Sequence, residues 1–137
     1  MHHLKLKSKT MFKYKVFGVL LCLSLSFLSC KKNASGGKGQ ISGIVYYDGK
    51  PVTPCTVYIK YGATTSPGTD PIQYDSQVSV DATGTFTFAS LYPGDYFLYA
   101  IGKYTVPGLG YETVTGSAQA NIPHTKSSVN YDIATTK

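Results

Sequence analysis

Two different hydrophobic patterns divide the chain. Residues 16–28, "VFGVLLCLSLSFL", form one unbroken apolar run. From residue 41 onward, short apolar segments alternate with polar positions and are punctuated by turn residues. Alternation with a period of two predicts half-buried strands, and Asp-Gly and Pro-Gly pairs predict the turns between them. The predicted strands cover residues 41–47, 55–61, 72–80, 85–88, 96–102, 111–122 and 128–135. In "CTVYIKY", Cys55, Val57 and Ile59 share one face, and Thr56, Tyr58 and Lys60 share the other. Phe86 and Phe88 share a face, as do Tyr96, Leu98 and Ala100. Residues 62–71 read as a long loop, and residues 104–110, broken by Pro107 and Gly108, as another. No helical period of useful length follows residue 30. Seven strands joined by turns predict an all-β, Greek-key-type sandwich over residues 41–137. Gly84 and Gly94 stand where its turns require positive φ or no Cβ.

The apolar run has its own logic. A membrane-spanning helix needs roughly 20 apolar residues, and a secretory core roughly 7 to 15. The run belongs to the second class, with a lysine-rich, acid-free segment before it. It ends "FLSCKK", and Phe27-Leu28-Ser29-Cys30 resembles the lipobox of bacterial lipoproteins. That resemblance implies cleavage between Ser29 and Cys30 and acylation of the Cys30 thiol. Residues 1–29 are then a signal peptide. Translation is expected to start at Met11, because residues 11–30 already make a complete signal. Residues 30–40, "CKKNASGGKGQ", read as the lipidated cysteine and a flexible polar linker. Two or three acyl chains at ~0.8 kcal/mol per methylene anchor stably, whereas one is marginal. The expected location is the cell envelope of a Gram-negative bacterium, at the outer membrane facing the periplasm.

Charge then loses its first meaning. The formal charge is +6, but five of the thirteen lysines (Lys5, Lys7, Lys9, Lys13, Lys15) lie in the signal. Eight lysines and seven acids remain, with no arginine to read bases or fork phosphates. Nucleic acid is therefore not an expected partner. Cys55 is left without a partner cysteine once Cys22 and Cys30 are assigned, and reads as a small buried hydrophobe.

The quoted segments "ISGIVYYDGKPVTPCTVYI" and "VDATGTFTFASLYPGDYFLYAIG" resemble the carboxypeptidase regulatory-like domain. That family has a prealbumin-like, seven-stranded β-sandwich. The resemblance implies a framework of Gly43, Val45, Val57, Ile59, Gly84, Phe86, Phe88, Leu91, Gly94, Tyr96 and Leu98. It covers residues 41–102 well and the last third loosely, and it places Cys55 where the family has a small residue.

No catalytic constellation emerges, and no cofactor or metal is expected. His124 is the single histidine after residue 30, and reads as a solvated loop residue. Enzymatic relatives of the broad fold need arginine or paired histidines, which the chain after residue 30 lacks. Asp70, Asp75, Asp81 and Asp95 match no calcium-loop spacing, and Asp81 and Asp95 are accounted for by turns. Tyrosine is the anomaly: eleven after residue 30, with no tryptophan. Tyr58 falls on the outer face by alternation, as Tyr47 and Tyr99 also do in this reading. Tyr61, Tyr74, Tyr104 and Tyr111 lie in or beside loops. Tyr58, Tyr61, Tyr104 and Tyr111 are the candidate interaction residues, since tyrosine offers a flat apolar face and a polar tip. The expected function is a non-enzymatic, lipid-anchored accessory module that contacts an envelope protein. The alternative is a carbohydrate-binding lipoprotein engaged in glycan capture.

Overall fold

The computed structural model describes residues 35–137, so the signal segment, Ser29, Cys30 and residues 31–34 lie outside the described residues. The described chain is almost entirely strand. In order these are β1 (Ser35–Tyr47), β2 (Lys50–Pro51), β3 (Cys55–Tyr61), β4 (Ser76–Ser79), β5 (Thr85–Leu91), β6 (Gly94–Val106), β7 (Gly110–Ile122), β8 (Ser128–Asn130) and β9 (Ile133–Thr136). A single 3₁₀ turn, Pro71–Gln73, interrupts them. The strands form one curled sheet that folds over itself as a β-sandwich-like body.

One layer is β4–β3–β6–β7, antiparallel throughout. The other is built on β1, which β5 and β8 flank at Ile41–Ser42 and β2 and β9 flank at Tyr46. β9 joins the layers. It runs parallel to β1, pairing Val45 with Ile133, and antiparallel to β7, pairing Gly116 with Thr135. The core between them is Ile41, Val45, Val57, Ile59, Phe86, Phe88, Leu91, Tyr96, Leu98, Val114, Ile122 and Ile133, with Val52, Cys55, Ala100 and Ala120 filling gaps. Every framework side chain named from the sequence is in this set. Fully burying a Val, Leu, Ile or Phe side chain stabilises by roughly 1.5–3 kcal/mol. Tyr96 is fully buried, and its hydroxyl donates to the Tyr92 carbonyl at 2.6 Å.

Four expectations need correction. First, β1 begins at Ser35 rather than Ile41, so Ser35–Gln40 is strand rather than linker. Its glycines serve close approach. A Cβ on Gly37 would lie 2.2 Å from the Leu91 carbonyl oxygen, and one on Gly39 2.7 Å from it. Second, residues 72–80 are not one strand. Asp70 caps the Pro71–Gln73 turn by accepting from the Ile72 N–H at 3.1 Å, and only Ser76–Ser79 pairs with β3. Third, residues 104–110 are not a loop. β6 runs on to Val106, and only residues 107–109 turn before β7. Fourth, residues 128–135 split into β8 and β9. At the break, Asp132 Oδ1 accepts from the Ile44 N–H at 2.9 Å, so a side chain takes the place of a ladder partner. With that split and the two-residue β2 beside Tyr46 and Tyr47, the described residues carry nine strands where seven were expected.

The turns read from sequence at Asp48-Gly49, Gly84 and Gly94 all have positive φ, 145° at Gly94. Asp48 and Gly49 have φ of 49° and 71°, the paired positive values of a tight hairpin turn. Gly84 has φ 76°. Beside it, Asp81 Oδ1 accepts from the Thr83 and Thr85 N–H groups at 2.8 and 3.0 Å.

Candidate functional site

The outward face of the β4–β3–β6–β7 layer carries Gln77 and Ser79, Thr56, Tyr58 and Lys60, Phe97, Tyr99, Ile101 and Lys103, and Tyr111, Thr113 and Gln119. It divides into a sealed half and an open half.

Residues 62–75 seal the first. They start from Gly62, whose N–H donates to the Asp95 carbonyl at 2.9 Å. Gln119 Nε2 reaches the Thr64 carbonyl from β7. Tyr74 lies flat on Tyr99, with ring centroids 5.7 Å apart and planes 16° apart, and tilts against Tyr58 at 5.9 Å. Its hydroxyl donates to the Gly68 carbonyl at 2.8 Å, and burial raises its phenol pKa above the ordinary value. Asp75 pins the end of the loop by accepting from Lys60 Nζ at 3.1 Å and the Tyr61 N–H at 2.8 Å. Phe97 and Tyr99 are consequently 7% and 9% exposed, although they point away from the central core.

The open half is a shallow groove of about 330 Å³. Its rim is polar, with Thr53, Thr56, Ser79, Lys103 and Thr113, and Ile101 contributes an apolar surface. The backbone fixes that rim: the Lys103 N–H donates to the Pro54 carbonyl at 2.9 Å, and the Val80 N–H to the Cys55 carbonyl at 3.0 Å. No Asp or Glu lines it. Tyr111 stands beside it, two residues from Thr113 on the same face of β7, about 7 Å along the strand. It is 68% exposed. Leu109, at the tip of the β6–β7 hairpin, is also exposed.

The four candidate tyrosines are not brought together. Tyr58 packs on Tyr74. Tyr61 points inward and meets Tyr96 edge-on at 5.9 Å. Tyr104 is on the inner face and pairs with Tyr47 at 4.8 Å, where the Lys137 ammonium also sits over the Tyr47 ring. Tyr47 therefore belongs with the inner face and not with the outer one. Tyr111 alone of the four is exposed, and Tyr92 is the other exposed tyrosine among the described residues. Sequence reasoning missed the groove because its rim comes from four separate segments. Alternation gave the outer-face side chains but carried no signal for what residues 62–75 would cover.

The remaining candidates resolve simply. Cys55 is buried beneath the groove, and burial pushes its thiol up to about 11, which leaves no thiolate nucleophile at neutral pH. Asp81 is held below the usual carboxylate range by hydrogen bonds from Thr83 and Thr85. Asp95 accepts from Asn121 Nδ2 at 2.7 Å. His124 is exposed in the loop after β7. Among the described residues, no three of His, Cys, Asp and Glu gather as a metal site. No described helix is long and apolar enough to cross a membrane.

No family model and no curated protein matches the chain. Two solved structures are similar in fold. One is a candidate carbohydrate-binding protein of Pseudomonas aeruginosa, 15% identical, with a TM-score of 0.53 over 74% of this chain and 91% of that one. The other is the major pilin subunit of Bacillus cereus, 14% identical, with a TM-score of 0.54 over 74% of this chain. This chain spans 30% of the pilin's length. At these identities the likenesses establish a β-sandwich-like fold.

Proposed function

We propose that this protein is a non-enzymatic, lipid-anchored glycan-binding domain of the bacterial cell envelope. The observation that carries the reading is the open half of the outer face, a hydroxyl-lined groove with the exposed ring of Tyr111 at its side. Sugars are recognised by hydroxyl and amine partners on one side and by a flat aromatic face on the other. The groove offers Thr53, Thr56, Ser79 and Thr113 hydroxyls, and Lys103 adds a cation with no carboxylate opposing it. Neutral and uronic-acid saccharides suit that lining. The fold of the candidate carbohydrate-binding protein supports the same reading. Membership of the carboxypeptidase regulatory-like family is part of this proposal, supported by the burial of Val45, Val57, Ile59, Phe86, Phe88, Leu91, Tyr96 and Leu98. Acylation at Cys30 and attachment to the cell envelope rest on the lipobox-like "FLSC".

Calorimetric titration against a panel of neutral and uronic-acid oligosaccharides tests the reading. Saturable binding by the wild type that Thr113→Val weakens is the expected result. No binding across the panel defeats it. A second reading, contact with an envelope protein, draws on the hairpin tip, where Leu109 is 80% exposed next to Tyr111. Cross-linking in intact cells followed by mass spectrometry would then return one stoichiometric partner, lost in Leu109→Ser.

A further inference from the structure

The two ends of the sandwich differ in what they carry. β1 enters at Ser35, paired with Leu91. The same end holds Tyr92 and the loop of residues 123–127, because the Gln40 N–H donates to the Ser127 carbonyl at 2.7 Å and Gly94 pairs with Ile122. β6 runs in the same sense as β1, through β9 and β7. Its thirteen residues carry the chain from Gly94 at the entry end to Val106 at the hairpin tip, a path of about 40 Å. The groove and Tyr111 lie toward that far end.

The tether is short. From Cys30 to Ser35 is five residue steps, which reach about 17 Å at full extension. The strand cannot lengthen it without undoing the β1–β5 pairing, since Gly37 and Gly39 sit directly against the Leu91 carbonyl. At the entry end the exposed ammonium groups are those of Lys38 and Lys126, and Tyr92 is 44% exposed with its phenol available to an interface. Of the nearby carboxylates, Asp75 is paired with the Lys60 ammonium. Asp95 accepts from the neutral Asn121 amide and keeps its charge, set back from the tip of the 123–127 loop by the length of the Gly94–Ile122 pairing. Lys31 and Lys32 follow Cys30 directly.

We infer that the entry end, with Lys38, Lys126 and Tyr92, docks against lipid headgroups, and that the sandwich stands upright with its groove and hairpin tip away from the bilayer. The inference rests on the lipid-anchor reading proposed above. The partner is a membrane surface with anionic headgroups, matched by the exposed ammonium groups of Lys38 and Lys126.

The chain contains no tryptophan, so a single introduced indole is a clean reporter. Full-length Tyr92→Trp, Thr125→Trp and Leu109→Trp proteins would be purified from membranes and placed in phosphatidylethanolamine–phosphatidylglycerol vesicles containing a lipid brominated near its headgroup. The expected result is severalfold stronger quenching at positions 92 and 125 than at 109. Two reporters at the entry end guard against loss of folding in one of them. Equal quenching, or stronger quenching at 109, in protein whose Cys30 carries lipid by mass spectrometry overturns the orientation while leaving the anchor intact. An unacylated Cys30 in that spectrum overturns the anchor reading and the orientation with it.

Discussion

The two halves of one sheet face show how a covering loop divides a single surface into a buried part and an open one. On the sealed half, Phe97 and Tyr99 are buried under residues 62–75, though slightly less deeply than most of the central core. On the open half, one register step or two away, Ile101 and Lys103 border a groove that reaches solvent. The strands are the same and the alternation is the same. What differs is the covering loop, and with it the meaning of an outward aromatic: a second small core at one end and a platform at the other.

The largest effect should come from the sealed half. Phe97→Ala is expected to cost ~3–5 kcal/mol, as for a core phenylalanine, read as a lowered midpoint in urea unfolding. A loss below 1 kcal/mol would mean the loop is only laid on the sheet. Tyr111→Ala makes the opposite trade. Stability should be unchanged while saccharide affinity falls about tenfold, equivalent to ~1.4 kcal/mol, measured by calorimetry beside the unfolding curve. Tyr74→Phe removes the hydrogen bond to the Gly68 carbonyl and keeps the stacked ring, with an expected loss of about 1 kcal/mol. If it costs nothing, stacking alone holds the loop.

Alkali separates the halves from beneath. Cys55 lies under the open half and Tyr96 toward the sealed end, where it pairs with Tyr61. Burial pushes the Cys55 thiol from 9.0 to about 11, and burial with the neighbouring Tyr61 pushes the Tyr96 phenol from 10.0 to about 12. Both groups fold in the neutral, protonated form. Their contribution is complete below the ordinary values and is lost as pH rises through the folded ones, between pH 9 and 11 for Cys55 and between pH 10 and 12 for Tyr96. Reaction of the Cys55 thiol with a thiol reagent should therefore begin at a lower pH than the part of the ultraviolet tyrosinate change that is lost in Tyr96→Phe. The reverse order would place the weaker end under the loop. The smallest effect is Lys103→Ala, expected within ~0.5 kcal/mol of wild-type stability, with weakened binding of uronic-acid saccharides alone.

Much of this was written in local pattern. The alternation of residues 55–61 and 85–88, and the inward set of Tyr96, Leu98 and Ala100, correspond directly to β3, β5 and β6. The turns at Asp48-Gly49 and Gly84 were legible because positive φ has few suitable residues. The failures share a cause, which is that the deciding contact is distant in sequence. Gly37 and Gly39 look like a flexible tether until Leu91 is seen against them. Asp132 looks like a mid-strand residue until Ile44 donates to it. Tyr58 looks like a free platform until Tyr74 covers it. The groove rim, drawn from Thr53, Ser79, Lys103 and Thr113, has no local signature at all.

β9 has a consequence for when the protein can exist as a folded object. Residues 133–136 tie the first long strand to β7, so Val45 must wait for Ile133 before the two layers are joined. Pairings of such separation close late and slowly. A chain emerging from a ribosome cannot complete this domain until residues 133–136 are out and free to pair. Until then the two layers lack the strand that joins them, and with it that share of the barrier to unfolding.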